Sequence, residues 1–119
     1  MRVAGALLLL AAAPAAAEGF TSNHVSGFDS HRGCMKEGYR AIMAHEKAYG
    51  RRAETVTASS SVVAFDLSPG ATDVVVVCAA AGDVVIATVV GHSDVEDGTR
   101  LETVEAIKDR LLVIGPTVR

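Results

Sequence analysis

Residues 73–91, DVVVVCAAAGDVVIATVVG, are almost entirely apolar, long enough to suggest a membrane span. Gly82 and Asp83 divide the run, and a carboxylate in mid-bilayer costs about 3 kcal/mol. The β-branched content on either side fits a pleated surface better than a helix. The pattern therefore predicts strands over 74–79 and 84–90, joined by a small-residue turn at 81–83. Upstream, TVTASSSVVAF (55–65) predicts a third strand, closed by Ser68, Pro69 and Gly70. Short connections make this a three-stranded antiparallel meander.

Helical periodicity flanks the meander. In SHRGCMKEGYRAIMAHEKAYG (30–50), Asp29 or Ser30 can cap the start and Gly50 can stop the helix. At 100° per residue, Cys34, Gly38, Ala41, Ile42, His45, Ala48 and Tyr49 share one stripe, with Arg32, Lys36, Arg40 and Lys47 towards the back. Tyr39 and Met43 lie off the stripe. Gly38 lets the helix approach the sheet closely. In TRLETVEAIKDRLLVIG (99–115), Thr99 and Glu102 suggest a capping box. Leu101, Val104, Ile107 and Leu111 repeat at core-facing spacing, with Lys108 at the edge. The expected fold is α+β, in the order α-β-β-β-α, with both helices packed on one face of the meander.

That arrangement leaves a problem. Val74, Val76 and Cys78 point one way and Val75, Val77 and Ala79 the other; the last strand repeats this, with only Thr88 polar. A sheet with one wet face should alternate apolar and polar. A second layer is therefore expected, either from GFTSNHVSGF (19–28), with Phe20, Val25 and Phe28, or from another protein molecule. A homodimer packed through the sheet or its edge is the favoured partner.

The first residues place the chain outside the cytoplasm. Arg2, an apolar run from Val3 and the small-residue site Ala15 to Ala17 before Glu18 form the pattern of a secretory signal peptide cleaved after Ala17. The run is short and broken by Pro14, unlike a span of about 20 residues. No cysteine follows the cleavage site, which argues against a lipid anchor. The expected organisation is a signal peptide at 1–17, an N-terminal segment at 18–30, one α+β domain at 31–115 and a tail at 116–119. Without its first 17 residues the chain carries ten basic and fourteen acidic side chains. That balance argues against nucleic acid or an anionic membrane as partner. Six of the basic residues fall in 31–53, where a solvated helix back explains them.

Two cysteines in a small exported chain suggest a disulfide, and Cys34–Cys78 would tie helix to sheet. No C-x-x-C pair suggests redox chemistry. Gly33-Cys34 at a helix start, Cys78 ending the middle strand, a Val-rich last strand running to Gly91 and a closing helix resemble a group of small exported bacterial proteins of helix, β-meander, helix design. The group has no assigned activity, so the resemblance implies fold, disulfide and export and lends no catalytic residue.

Candidate chemistry is sparse. His24, His31, Cys34, Met35, Met43 and His45 cluster in sequence, but His31 and His45 stand about 21 Å apart along one helix and cannot share an ion. His45, in the apolar stripe, is read as a hydrogen-bonded core histidine that could also contact a ligand. The loop GHSDVEDGT offers His92, Asp94, Glu96 and Asp97 as further possible contacts, although their spacing matches neither a catalytic triad nor a calcium loop. The acids also favour the following helix N-terminus. The expectation is a non-catalytic exported domain that binds itself or another protein, with no metal or cofactor; the alternative is a small-molecule or metal binder.

Overall fold

In a computed structural model of the chain, residues 19–50 and 54–113 are described. The expected signal peptide and the tail at 116–119 lie outside them. The elements run β1 (Gly19–Phe28), α1 (His31–Ala48), β2 (Thr55–Thr57), β3 (Ser61–Leu67), β4 (Thr72–Ala81), β5 (Val84–Ser93) and α2 (Thr99–Arg110). The strands make one antiparallel sheet in the order β1-β5-β4-β3-β2.

The fold is thus α+β, but the expected α-β-β-β-α meander is corrected to a five-stranded sheet with two helices. Two local events account for the extra strands. The segment 55–65 breaks in two because the Ala58 N–H donates to the Ser61 carbonyl, turning the chain through small polar residues suited to a turn. The N-terminal segment becomes β1, lying beside β5 from Gly19↔Ser93 to Phe28↔Val85. It extends the sheet sideways and supplies no second layer. Its inward positions are largely polar and are held by α2: Asn23 donates to Glu105 and Thr21 accepts from Arg100. Such an attachment leaves little hydrophobic signal in the sequence.

Both helices cover one face. α1 packs on β3 and β4, where an added Cβ at Gly38 would come 3.1 Å from Val76 Cγ1. α2 packs on β5, and an added Cβ at Gly91 would lie 2.4 Å from Val104 Cγ2. Glycine at these two points lets backbone and side chain approach more closely than any other residue permits. The core lies between the layers and includes Ile42, Val62, Val74, Val76, Val89, Val104 and Ile107, all fully buried. Cys34 and Cys78 are joined in it by a disulfide, as their placement suggested.

Helix details refine the expected stripes. Ser30 caps α1, its hydroxyl accepting from the Gly33 N–H, and Gly50 follows the helix at φ 67°. Of the stripe, Cys34, Gly38, Ala41, Ile42 and His45 are buried as expected, whereas Ala48 and Tyr49 are exposed because the helix runs past the core there. Met43, off the stripe, nevertheless packs partly against the core. In α2, Val104 and Ile107 are buried, as is Leu111 just after it, but Leu101 is 53% exposed. The Thr99–Glu102 capping box is absent. Thr99 is already helical, and Asp97 Oδ1 accepts from both its N–H and its hydroxyl.

Candidate functional site

Strand register places one residue in two on the sheet face that the helices leave open. Val56, Val63, Val75, Val90 and Ser22 stand side by side across all five strands. The next row holds Ser61, Val77, Thr88 and His24, and the one beyond it Ala79, Ile86 and Ser26. On the other side lie Asp73, His92 and Phe20. Neighbours on the pleat half-bury Val63, Val75, Val77, Ile86 and Val90, while Val56 at the rim is 49% exposed and Phe20 73%. The middle of this face is apolar and uncharged. Its polar groups are Asp73, the two histidines and the hydroxyls of Ser22, Ser26, Ser61 and Thr88, most of them towards β1. The doubled Val pattern predicts a face of this kind, and among the described residues no element covers it.

The residues considered for ligand contact do not form one site. His45 is fully buried under α1; its Nε2 lies 2.6 Å from the Ser68 carbonyl oxygen, which only accepts, so Nε2 donates. Its ring packs on Tyr49. His92 is on the opposite face of the sheet, with its ring 4.9 Å from that of Phe20. In the acidic loop, Glu96 accepts from Arg100 Nη2 at 2.7 Å and Asp97 caps the first turn of α2, leaving Asp94 exposed. His31 Nε2 lies 3.2 Å from Ser60 Oγ. Among the described residues, no three His, Cys, Asp or Glu side chains are grouped to hold a metal ion.

Sequence reasoning missed Arg100 and Glu37. Arg100 is 3% exposed and bonds Thr21, Ser93, Val95 and Glu96, joining β1 to the start of α2. Neither carries a sequence signal of burial, since each is one charge in an amphipathic helix. Glu37 accepts from Arg40 through both carboxylate oxygens and from the Leu112 N–H, fastening the chain after α2 to α1. Burial by itself would raise the Glu37 pKa, but the Arg40 hydrogen bond, the Leu112 N–H and the charges of Arg40 and Lys36 outweigh it and bring it below the ordinary 4.5. The Thr99 hydroxyl and N–H hold Asp97 below 3.8 in the same way.

The sign of the resulting pH dependence follows. Both carboxylates bind a proton more readily when unfolded, so the stability they contribute is complete above their ordinary values and is lost as pH falls through the lower folded ones. Thermal midpoints measured down a pH series should therefore fall in this acid range. Glu37→Gln should lower the neutral-pH midpoint and flatten part of that fall; an unchanged acid slope would mean that Glu37 contributes none of it.

Beside the start of α1 a cavity of about 400 Å³ is lined by Phe28, Asp29, Gly33, Lys36 and Glu37. With Glu37 engaged, Lys36 and Asp29 are the charged groups left at its wall. Among the described residues, no helix is long and apolar enough to cross a membrane, and a buried disulfide is compatible with an exported protein. No family model, curated protein or solved structure matches the chain.

Proposed function

We propose that this chain is an exported, non-catalytic domain that binds protein through the open face of its sheet. The observation that carries the reading is the valine row of residues 56, 63, 75 and 90, which crosses four strands on the face opposite both helices. Contiguous apolar surface of this kind marks an interaction site more often than an ordinary monomer surface. The signal-peptide pattern at 1–17 and the disulfide support export. The reading assigns no catalytic residue, metal or cofactor.

A photo-crosslinking residue placed at Ser61 on the open face, with a control at Lys47 on the exposed side of α1, tests it in cells exporting the full-length gene product. A discrete protein adduct from position 61 and none from 47 is the expected result. Adducts from 47 alone would move the interaction to the helices and overturn the reading.

The cavity beside α1 favours a second reading, a binder of small molecules. Its volume falls within the range of about 300–1,000 Å³ usual for ligand sites, and Phe28 with the opposite charges of Lys36 and Asp29 would suit an apolar body bearing a polar or zwitterionic group. Added mass on the exported protein in native mass spectrometry, removed by Lys36→Ala, would support it.

A further inference from the structure

We infer that the occupant of the open face is a second copy of this chain, packed face to face about a two-fold axis near β4, and not joined through the sheet edges. The inference rests on the protein-binding reading above and names its partner.

Size is the first reason. Strands of 10, 3, 7, 10 and 10 residues at ~3.3 Å per residue and ~4.8 Å spacing give a face of ~630 Å², so that two copies bring together ~1,260 Å², at the lower end of the ~1,200–2,000 Å² of a standard stable interface. The face is thus large enough for a dimer, provided that most of it is used.

Its chemistry is the second. The central positions Val63, Val75, Val77, Ile86 and Val90 carry no charge, so nothing there selects a partner of opposite sign. Two such faces can interdigitate as stacked sheets do, about 10 Å apart. Because β4 is the middle strand of five, a two-fold axis along it lays each copy's Val75 and Val77 against the other's. The largely polar β1, with Ser22, His24 and Ser26, then falls at the rim, while Asp73 and His92 sit at the end of the face beyond the valine rows, the Asp73 carboxylate accepting from the Asp66 N–H. A surface that meets its own image in this way is what an isologous dimer requires.

The edges are the third. β2 has only three residues. β1 is long, but its register slips between Ser26 and Phe28 at Gly27, whose φ is 106°. The outward His24 N–H is also occupied, donating to Asn23 Oδ1 at 2.8 Å. Short strands and bulges are the usual devices that prevent edge-to-edge pairing.

Sedimentation equilibrium of the disulfide-bonded protein, exported from its full-length gene, reads the outcome. Wild type should be a dimer at roughly 100 µM, where a dissociation constant below about 10 µM leaves most chains paired. Val75→Lys should raise that constant by about a hundredfold or more while circular dichroism stays unchanged, since it buries like charges against each other. Should the lysine variant fail to fold, the double variant Val75→Thr with Val77→Thr keeps the β-branched shape and should weaken the dimer in the same direction. A dimer indifferent to both variants would mean edge pairing and overturn the inference. Monomeric wild type with a foreign adduct at position 61 would overturn the homodimer and leave the protein-binding reading standing; monomeric wild type with no adduct would overturn both.

Discussion

Replacing Cys34 and Cys78 together by alanine should lower the unfolding free energy by about 4 kcal/mol, the chain-entropy value for a loop of this length. The two residues are 44 apart in sequence, and the closed loop contains most of α1, all of β2 and β3 and the first part of β4. Removing the cross-link frees that loop in the unfolded chain, and the cost falls on a domain whose total stability is only about 5–15 kcal/mol. Urea unfolding should show the midpoint falling by about 2 M at an m-value near 2 kcal/mol/M. The sulfurs are inaccessible, with Cys34 fully buried and Cys78 3% exposed. Reductant alone should therefore act slowly on the folded protein and quickly once urea opens it. A double variant that unfolds at the wild-type midpoint would show that packing, not the cross-link, holds α1 to β4.

Arg100→Met is expected to cost about 3 kcal/mol. The methionine can follow the aliphatic path of the arginine, but it removes the guanidinium donor from the Ser93 carbonyl and from the Ser93 and Thr21 hydroxyls, while the Val95 carbonyl keeps the Ser93 hydroxyl. Unsatisfied buried groups cost about 1–3 kcal/mol each. The Glu96 carboxylate is 60% exposed, so water solvates it when the arginine is gone and the ion pair itself adds little. Arg100→Lys should not restore the loss, because one ammonium cannot reach acceptors spread around a planar guanidinium. A loss of this size lowers the thermal midpoint by about 15 °C in a domain of this length. Amide hydrogen exchange should show β1 losing protection first, since the Arg100 Nε bond to Thr21 helps to fasten this edge strand to α2. Equal loss of protection across the whole sheet would show that Arg100 supports the fold generally and not β1 in particular.

These two effects differ in how visible their causes were. The disulfide could be read from residue order, since Cys34 falls on an apolar helical stripe and Cys78 on a strand that must face it. Arg100 could not. In the sequence it is one cation in an amphipathic helix, and only the return of β1 alongside β5 brings Thr21 to its guanidinium. Glu37 is similar: its partners are Arg40, three residues on, and a backbone N–H at Leu112, seventy-five residues away. Polar contacts that span the chain leave no periodicity behind them.

Hydrophobic period and turn residues determined both helices, the Val-rich hairpin of β4 and β5, the disulfide and the presence of apolar side chains on two sheet faces. Each depends on neighbours a few residues away, or on an alternation that any strand must obey. Only tertiary structure decided that 55–65 splits into two strands, that residues 19–28 join the sheet at its edge instead of covering it, and that Arg100 and Glu37 are drawn into buried hydrogen-bond networks. Those outcomes turn on which distant backbone and side-chain groups meet. The same distinction explains the open face: the sequence shows valines pointing both ways, and the placement of both helices on one side decides which valines remain uncovered.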